Sequence, residues 1–587
     1  MAMKHHFVLL FLISQLHLSF SASDQVNTLE SVPDLEQSMY LTVNGYPCVR
    51  LLNLSGEIGC ARLARKVAGV LVESSTKLQN ESKGFSPVEK FSQAEFSPYQ
   101  KLNYEWNPLG SSIMWNSYNF PIFLLDEDST AVLQKIADKN EKNKQAYKVD
   151  VAEFNLVMQT TKSGTHDSES CLKQQSCLPL GGYSVMSSLP PIDVSSTQKP
   201  KSIVLAMASI DSASFFRDKS PGADSPLSGM ISLVAAVDAL SHLGDLDELN
   251  KQLVFLFFTG EAWGYLGSRR FLAELDMGTD AVHGLNSSLI EMDLPATKKT
   301  LDAFRHAHNS LRSDSINISM ASSSNPGIPP SSLMAFMRKE SSWKTSILHL
   351  ATTNIDSKSL VAAASLVART LYILASDGKI LNTTKLISIN VNSSLVDELL
   401  GCLLTCEPGL SCALVKGYIT PTSTCPNHYV GVILGPPLST PYVEDLRDTS
   451  RFLWNFLAEK TSKPRKENST ICSKDCSSKG GVCIRAETDG KGTCVLSTTR
   501  YIPAYSTRLK FDTGIWNLLP ANASDVMGMV DPVWTESFWS EIGLRAYTVQ
   551  NAAYDRFVLL GGISVTVLAY LAMIVTKAIV TKALKRD

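Results

Sequence analysis

Three carboxylates stand where apolar runs end. Asp211 follows "SIVLAMASI" (Ser202–Ile210), Glu261 follows "KQLVFLFFTG" (Lys251–Gly260), and Asp293 closes "SSLIEM" (Ser287–Met292). Carboxylates gathered at one rim could act as a general base or ligate a divalent ion, provided that the fold brings them together. The runs themselves predict buried strands over Ser202–Asp211, Lys251–Glu261 and Ser287–Asp293. Between the first two lies "SPLSGMISLVAAVDALSHL" (Ser225–Leu243), with Leu227, Met230, Ile231, Val234, Val237 and Leu240 at helical spacing. Further helices are expected over Gly264–Leu275 and in "LVAAASLVARTLYILA" (Leu360–Ala375). Strands apolar on both faces, alternating with helices, predict an α/β domain whose parallel or mixed sheet is covered by helices. Ligands of such sheets sit beyond the carboxyl ends of the strands, where these three carboxylates fall.

Upstream the pattern is different. "FPIFLLDED" (Phe120–Asp128) and "VDVAEFNLVMQTT" (Val149–Thr161) read as strands, with a polar-faced helix between them, and "SSLPPIDVSSTQKPKS" (Ser187–Ser202) reads as a linker by composition. A chain of 587 residues is too long for one core. The expected organisation is a signal peptide at 1–23, a small N-terminal lobe at 24–195, a large α/β lobe at 196–400, a Cys-rich membrane-proximal ectodomain at 401–556, a transmembrane helix at 557–576 and a tail at 577–587. Lys+Arg 54 against Asp+Glu 56 leaves a net charge of −2 without a basic block, so nucleic acid is not an expected partner.

The signal-peptide reading rests on a basic start, an apolar run and the small residues Ser21, Ala22 and Ser23; Gln15 and His17 interrupt the run and argue against a retained anchor. "FVLLGGISVTVLAYLAMIVT" (Phe557–Thr576) carries no charge over a length that crosses a bilayer. Lys577, Lys582, Lys585 and Arg586 follow it, so the tail is expected on the cytoplasmic side of a single-pass type I membrane protein. The twelve Cys lie between Cys48 and Cys494, in the part expected to face an oxidising compartment. Cys48/Cys60 and Cys171/Cys177 are plausible disulfides, and Cys472–Cys494 reads as a small stapled module. Asn53, Asn80, Asn286, Asn317, Asn382, Asn392, Asn468 and Asn522 each open a glycosylation sequon.

Ser202–Asp293 resembles the zinc aminopeptidase family, whose fold the transferrin receptor shares. Active members end one strand with His-x-Asp, follow it with Gly-Ala-x-Asp-x-x-Ser-Gly, and turn a later corner with Glu-Glu-x-Gly-x-x-Gly-Ser. Here Ser209 stands where the first His would be, Ser225 where the shared Asp would be, and Ala262 where the metal-binding Glu would be. Asp293 fits the next ligand, and His349 is the match for the last. Zinc takes about four N, S or O ligands, so two ions deprived of one ligand each and of their shared carboxylate are not held. Glu261 keeps the general-base position but has no metal-bound water to act on. The expectation is a peptidase fold with no catalytic residue, no metal and no cofactor.

"EWNPLG" (Glu105–Gly110), "FPIFLLDED", "DSASFFRDKSPGADS" (Asp211–Ser225) and "GEAWGYLGS" (Gly260–Ser268) resemble the nicastrin family over nearly the whole chain. That family's Asp-Tyr-Ile-Gly-Ser appears here as Gly264-Tyr265-Leu266-Gly267-Ser268. The resemblance implies a non-catalytic subunit of an intramembrane aspartyl protease, the γ-secretase complex, that gates the stubs of type I membrane proteins. Its partners would be presenilin, the anterior-pharynx-defective-1 subunit and the presenilin enhancer. It implies endoplasmic reticulum, Golgi, endosomal and plasma membranes as locations. It also implies Glu261 and Tyr265 as substrate-recognition candidates, with Trp106 in a lid on the small lobe. Each has a plainer alternative: Glu261 as a carboxylate favoured by a helix N-terminus, Tyr265 and Trp106 as packing. Two departures stand out, a short connection over Trp343–Ser359 and the Cys472–Cys494 module. The competing functions are a membrane-anchored zinc aminopeptidase and a stand-alone receptor on the same fold.

Overall fold

The computed structural model describes residues 40–585, less 61–68, 75–83, 89–106, 108, 143–151, 161–165, 194–198, 291–293, 312–330, 340–354, 378–382, 464–471, 473–475, 477–480, 521–530, 538 and 549–551. The expected signal peptide, Trp106, Asp293, His349 and the sequon residues Asn80, Asn317, Asn382, Asn468 and Asn522 therefore lie outside the described residues. The chain divides into two compact units, one formed by Met1–Gly45, Leu125–Val157 and Gly543–Asp587, the other by Tyr46–Leu124 and Met158–Ile542.

In the first unit Tyr40–Thr42 pairs antiparallel with Trp539–Thr548, with Tyr40 opposite Tyr547 and Thr42 opposite Arg545. The sequence-expected strand near residue 120 is short, Ile122–Leu125, and all but its last residue belongs to the second unit; the helix over Glu127–Lys142, in the first, follows at once in the chain. The Asp126 carboxylate accepts the Ser129 N–H at 2.7 Å, and Glu127 and Asp128 add charge that the helix N-terminus favours. The C-terminal helix runs Ala552–Ala583, and its Arg556–Ala583 part is long and apolar enough to cross a membrane and exposed throughout.

The second unit is built on a four-stranded mixed sheet. Its strands are β1 (Gly182–Leu189), β2 (Ile203–Ser209), β3 (Gln252–Phe258) and β4 (Arg500–Ala504), in the order β2-β3-β1-β4. β2 runs parallel to β3, with Val204 opposite Leu253; β1 runs antiparallel to both β3 and β4. Every residue of β3 is buried. Leu253, Phe255 and Phe257 face a core shared with α1 (Gly229–Ser241), α3 (Ser357–Ala375) and α4 (Asp448–Lys460). Val254, Leu256 and Phe258 alternate to the other face, against Phe271, Leu272 and Leu275 of α2 (Leu266–Met277) and the helix Leu333–Lys339. Burying one such side chain stabilises the fold by about 1.5–3 kcal/mol. α3 has the length and apolarity of a membrane span but is mostly buried in this core.

Three local expectations change. Ser187–Ser202 is not wholly a linker: Ser187, Ser188 and Leu189 finish β1. The Ser187 hydroxyl is bonded to Thr461 and Thr499 at 2.7 and 2.8 Å, so polar residues sit inside the sheet in matched pairs. β2 is only partly buried after Ile203, since among the described residues only a single bridge, Ile203 to Ile290, continues the sheet beyond it. Of the strand expected over Ser287–Asp293, Ser287–Leu289 form a 3-10 turn before that bridge, and residues 291–293 lie outside the described residues.

A second sheet has the order Ser117–Tyr118, Gly56–Cys60, Arg50–Asn53, Thr535–Ser537, Cys177–Pro179. Thr535 lies between Leu52 and Pro179. Six disulfides join Cys48–Cys60, Cys171–Cys177, Cys402–Cys412, Cys406–Cys425, Cys472–Cys483 and Cys476–Cys494.

Candidate functional site

The corner after β3 is a run of unusual backbone. Gly260 and Gly264 have φ +79° and +92°, and Tyr265, with a side chain, has φ +62°. A Cβ on Gly260 would come 2.9 Å from that of Leu266, and one on Gly264 would meet Pro532 at 2.4 Å. Glycine is required at both places, which accounts for Gly264 where the family hallmark has Asp.

Two carboxylates hold this corner. Asp211, just past β2, accepts the N–H of Glu261 at 2.8 Å and that of Ala262 at 3.1 Å, and the Ser209 hydroxyl at 3.3 Å. It thereby caps the 3-10 turn Glu261–Trp263. Glu261 is fully buried. Its Oε1 accepts the N–H of Ser268 at 2.8 Å and its Oε2 the Ser268 hydroxyl at 3.0 Å. Ser268 lies in the first turn of α2, whose N–H groups have no partner within the helix, so the Glu261 carboxylate fills that need and meets the positive end of the dipole. Gly267 makes this possible: a Cβ there would come 2.3 Å from the Thr259 carbonyl and 3.1 Å from Glu261 Oε1.

Asp211, Glu261, Ser209 and Ala262 are thus brought together at the carboxyl ends of β2 and β3. The backbone around Ser225 forms a π-helical turn, Ala223–Ser228. Ala262 offers no donor atom to a metal. Among the described residues no three His, Cys, Asp or Glu side chains converge on a point that could hold one. Tyr265 is fully buried and packs in the α2-side core.

Several neighbours were not legible as site residues. Trp263 sits fully buried among Trp115, Trp534 and Tyr429, with ring centroids 5.8–5.9 Å away. His428 lies beside the Asp211 loop: Ser212 donates its N–H to the His428 carbonyl at 2.8 Å. His428 Nε2 is 2.9 Å from the Leu403 carbonyl, which can only accept, so Nε2 carries the proton. Burial pushes the His428 pKa down. Glu536 accepts from Arg217 at 2.9 Å and from the Tyr429 hydroxyl at 3.1 Å, and burial holds its pKa above the usual carboxylate range. Arg217 stands within the quoted "DSASFFRDK" run, but nothing in the sequence ties it to Tyr429 or Glu536, hundreds of residues later.

Comparison with known proteins gives the corner a context. The family model described as the nicastrin large lobe matches residues 202–295 and 295–357, and the one for the nicastrin small lobe matches 61–160. The chain is 51% identical to the nicastrin of Arabidopsis thaliana, over 98% of each chain. To that of Homo sapiens it is 24% identical, over 94% of this chain and 93% of the other. The alignment with the Arabidopsis protein runs over 662 positions against 587 residues here, so at least the difference, 75 positions, faces no residue of this chain. A crystal structure of the γ-secretase component nicastrin superposes with a TM-score of 0.65 at 20% identity, covering 87% of this chain and 100% of the other, which shows a shared fold.

Proposed function

The chain belongs to the nicastrin family, and from that premise we propose that it is a non-catalytic subunit of a γ-secretase intramembrane aspartyl protease, acting in substrate gating and in assembly. Presenilin would supply the catalysis, with the anterior-pharynx-defective-1 and presenilin enhancer subunits completing the complex. The observation that carries this reading is the use of Glu261: in a peptidase it would face a metal-bound water, and here both its oxygens accept from Ser268. To reach the α-ammonium of a substrate, Glu261 would have to leave Ser268 and the helix end that it caps. The geometry therefore favours gating by the bulk of the ectodomain over direct pairing with Glu261. Glycans at Asn286 and Asn392, both exposed, would add to that bulk.

The chain would sit as a type I protein in endoplasmic reticulum, Golgi, endosomal and plasma membranes, its helix Arg556–Ala583 crossing the bilayer. The test is co-purification of the tagged full-length chain from mild detergent. A stable high-mass assembly containing a presenilin-like protease is expected. A lone monomer or homodimer overturns the proposal.

A further inference from the structure

We propose that the end of the C-terminal helix is a binding site for an anionic phospholipid, whose headgroup Lys577, Lys582 and Lys585 hold between them. The inference rests on this helix crossing a bilayer and not on membership in a protease complex. The charge-free run Phe557–Thr576 measures about 30 Å as helix and so fills the hydrocarbon core by itself. Yet the helix continues to Ala583, and the Leu584 N–H still donates to the Val580 carbonyl at 2.9 Å. Lys577 therefore begins a segment that rises about 12 Å to Lys585, through the layer that headgroups occupy.

The spacing sorts these turns into two faces. At about 3.6 residues per turn, Lys577, Lys582 and Lys585 fall within an arc of about 140°, and with Ile574, Ala578 and Thr581 they line one shallow groove. Ile579, Val580 and Ala583 take the opposite side, and they and the three lysines are all exposed. Positive charge that only set the orientation of the span could stand anywhere around the helix. Here it shares one side, with an apolar side behind it. That is the pattern of a helix lying against lipid, with acyl chains on one face and phosphates on the other.

The three ammonium groups are also open to a ligand. No Asp or Glu occurs from Arg556 to Lys585, and among the described residues none of the three lysines is in an ion pair. Each is a flexible stem carrying a compact charge with three donors, and it can bend toward a phosphate near its own depth. A phospholipid fits both faces at once, with an anion for the basic side and acyl chains for the apolar one. Free phosphate meets only the first. In a lipid without net charge the headgroup ammonium offsets the phosphate, so the site should select anionic lipid.

Electron spin resonance measures this in an intact bilayer. The full-length chain is reconstituted in vesicles of phosphatidylcholine and phosphatidylserine, and spin-labelled forms of each lipid report the fraction held at the protein surface. Phosphatidylserine is expected to be favoured about fivefold or more, and less so at high salt. Replacing all three lysines (Lys577→Gln, Lys582→Gln, Lys585→Gln) should remove the preference, whereas arginine at the same positions should keep it. The exchange Val580→Lys with Lys582→Val keeps the charge but moves part of it to the apolar side, and should weaken the preference by about twofold or more. No preference, one that survives the triple replacement or is unchanged by the exchange, or one abolished by inorganic phosphate at constant ionic strength overturns the proposal. Release of the unaltered chain by a carbonate wash overturns the membrane reading beneath it; retention without selectivity overturns the lipid site alone.

Discussion

Ser268 meets Glu261 twice, through its N–H and through its hydroxyl. Ser268→Ala removes the hydroxyl bond to a fully buried carboxylate, a loss of about 1–3 kcal/mol. Glu261→Gln should lower stability by a similar amount, because an amide cannot accept from both groups with both of its atoms. Denaturant unfolding of the full-length chain measures both. If Glu261→Gln leaves stability unchanged and only substrate processing falls, the carboxylate serves a substrate and not the helix. Gly264→Asp, which would restore the family hallmark, is also expected to destabilise. It places a side chain at φ +92° and a Cβ 2.4 Å from Pro532, which costs on the order of 1–3 kcal/mol for the backbone alone.

At the scale of elements, β3 is the strand on which both helical layers rest, and Phe257→Ala should cost about 3–5 kcal/mol. α3 carries a pH signature. The Asp356 carboxylate accepts from the Ser359 hydroxyl, from the Ser359 N–H and from that of Lys358, and the hydroxyl bond is first among the causes that hold its pKa below the usual carboxylate value. A depressed pKa contributes stability above the unfolded value, and that contribution is lost as pH falls through the lower folded one. The unfolding midpoints of the chain and of Asp356→Ala should therefore differ at neutral pH and converge as pH falls below about 4. β3, α1, α2 and α3 were all legible from apolar spacing. β1 was not read as a strand, and its end was assigned to a linker, because buried hydroxyl pairs look like a loop until Thr461 and Thr499 are seen beside them. In the site, Asp211 and Glu261 were legible because they end apolar strands. Trp263, Tyr429 and Glu536 were not, because only long-range folding makes them neighbours.

Over the whole molecule, all twelve cysteines are joined in pairs, and denatured but unreduced chain should expose no thiol to an alkylating reagent. The C-terminal helix of 32 residues extends about 48 Å at 1.5 Å per residue, longer than the ~30 Å hydrocarbon core. Carbonate-washed membranes should retain the full-length chain and release one that stops before Ala552.

Strand pairing also fixes when this protein can be finished. Leu52 pairs with Thr535, and Tyr40 with Tyr547, so the earliest strands made find their partners among the last. At about 5–20 residues per second, a ribosome needs on the order of a minute to deliver Thr535 after Leu52. Throughout that time the early strands present unpaired edges, which invite association with other chains. When Thr535 does emerge, the C-terminal helix is fewer than twenty residues behind. Closure of the sheet and entry of the helix into the bilayer thus become nearly one event, and a nascent chain arrested before Thr535 should remain open to protease however long it waits.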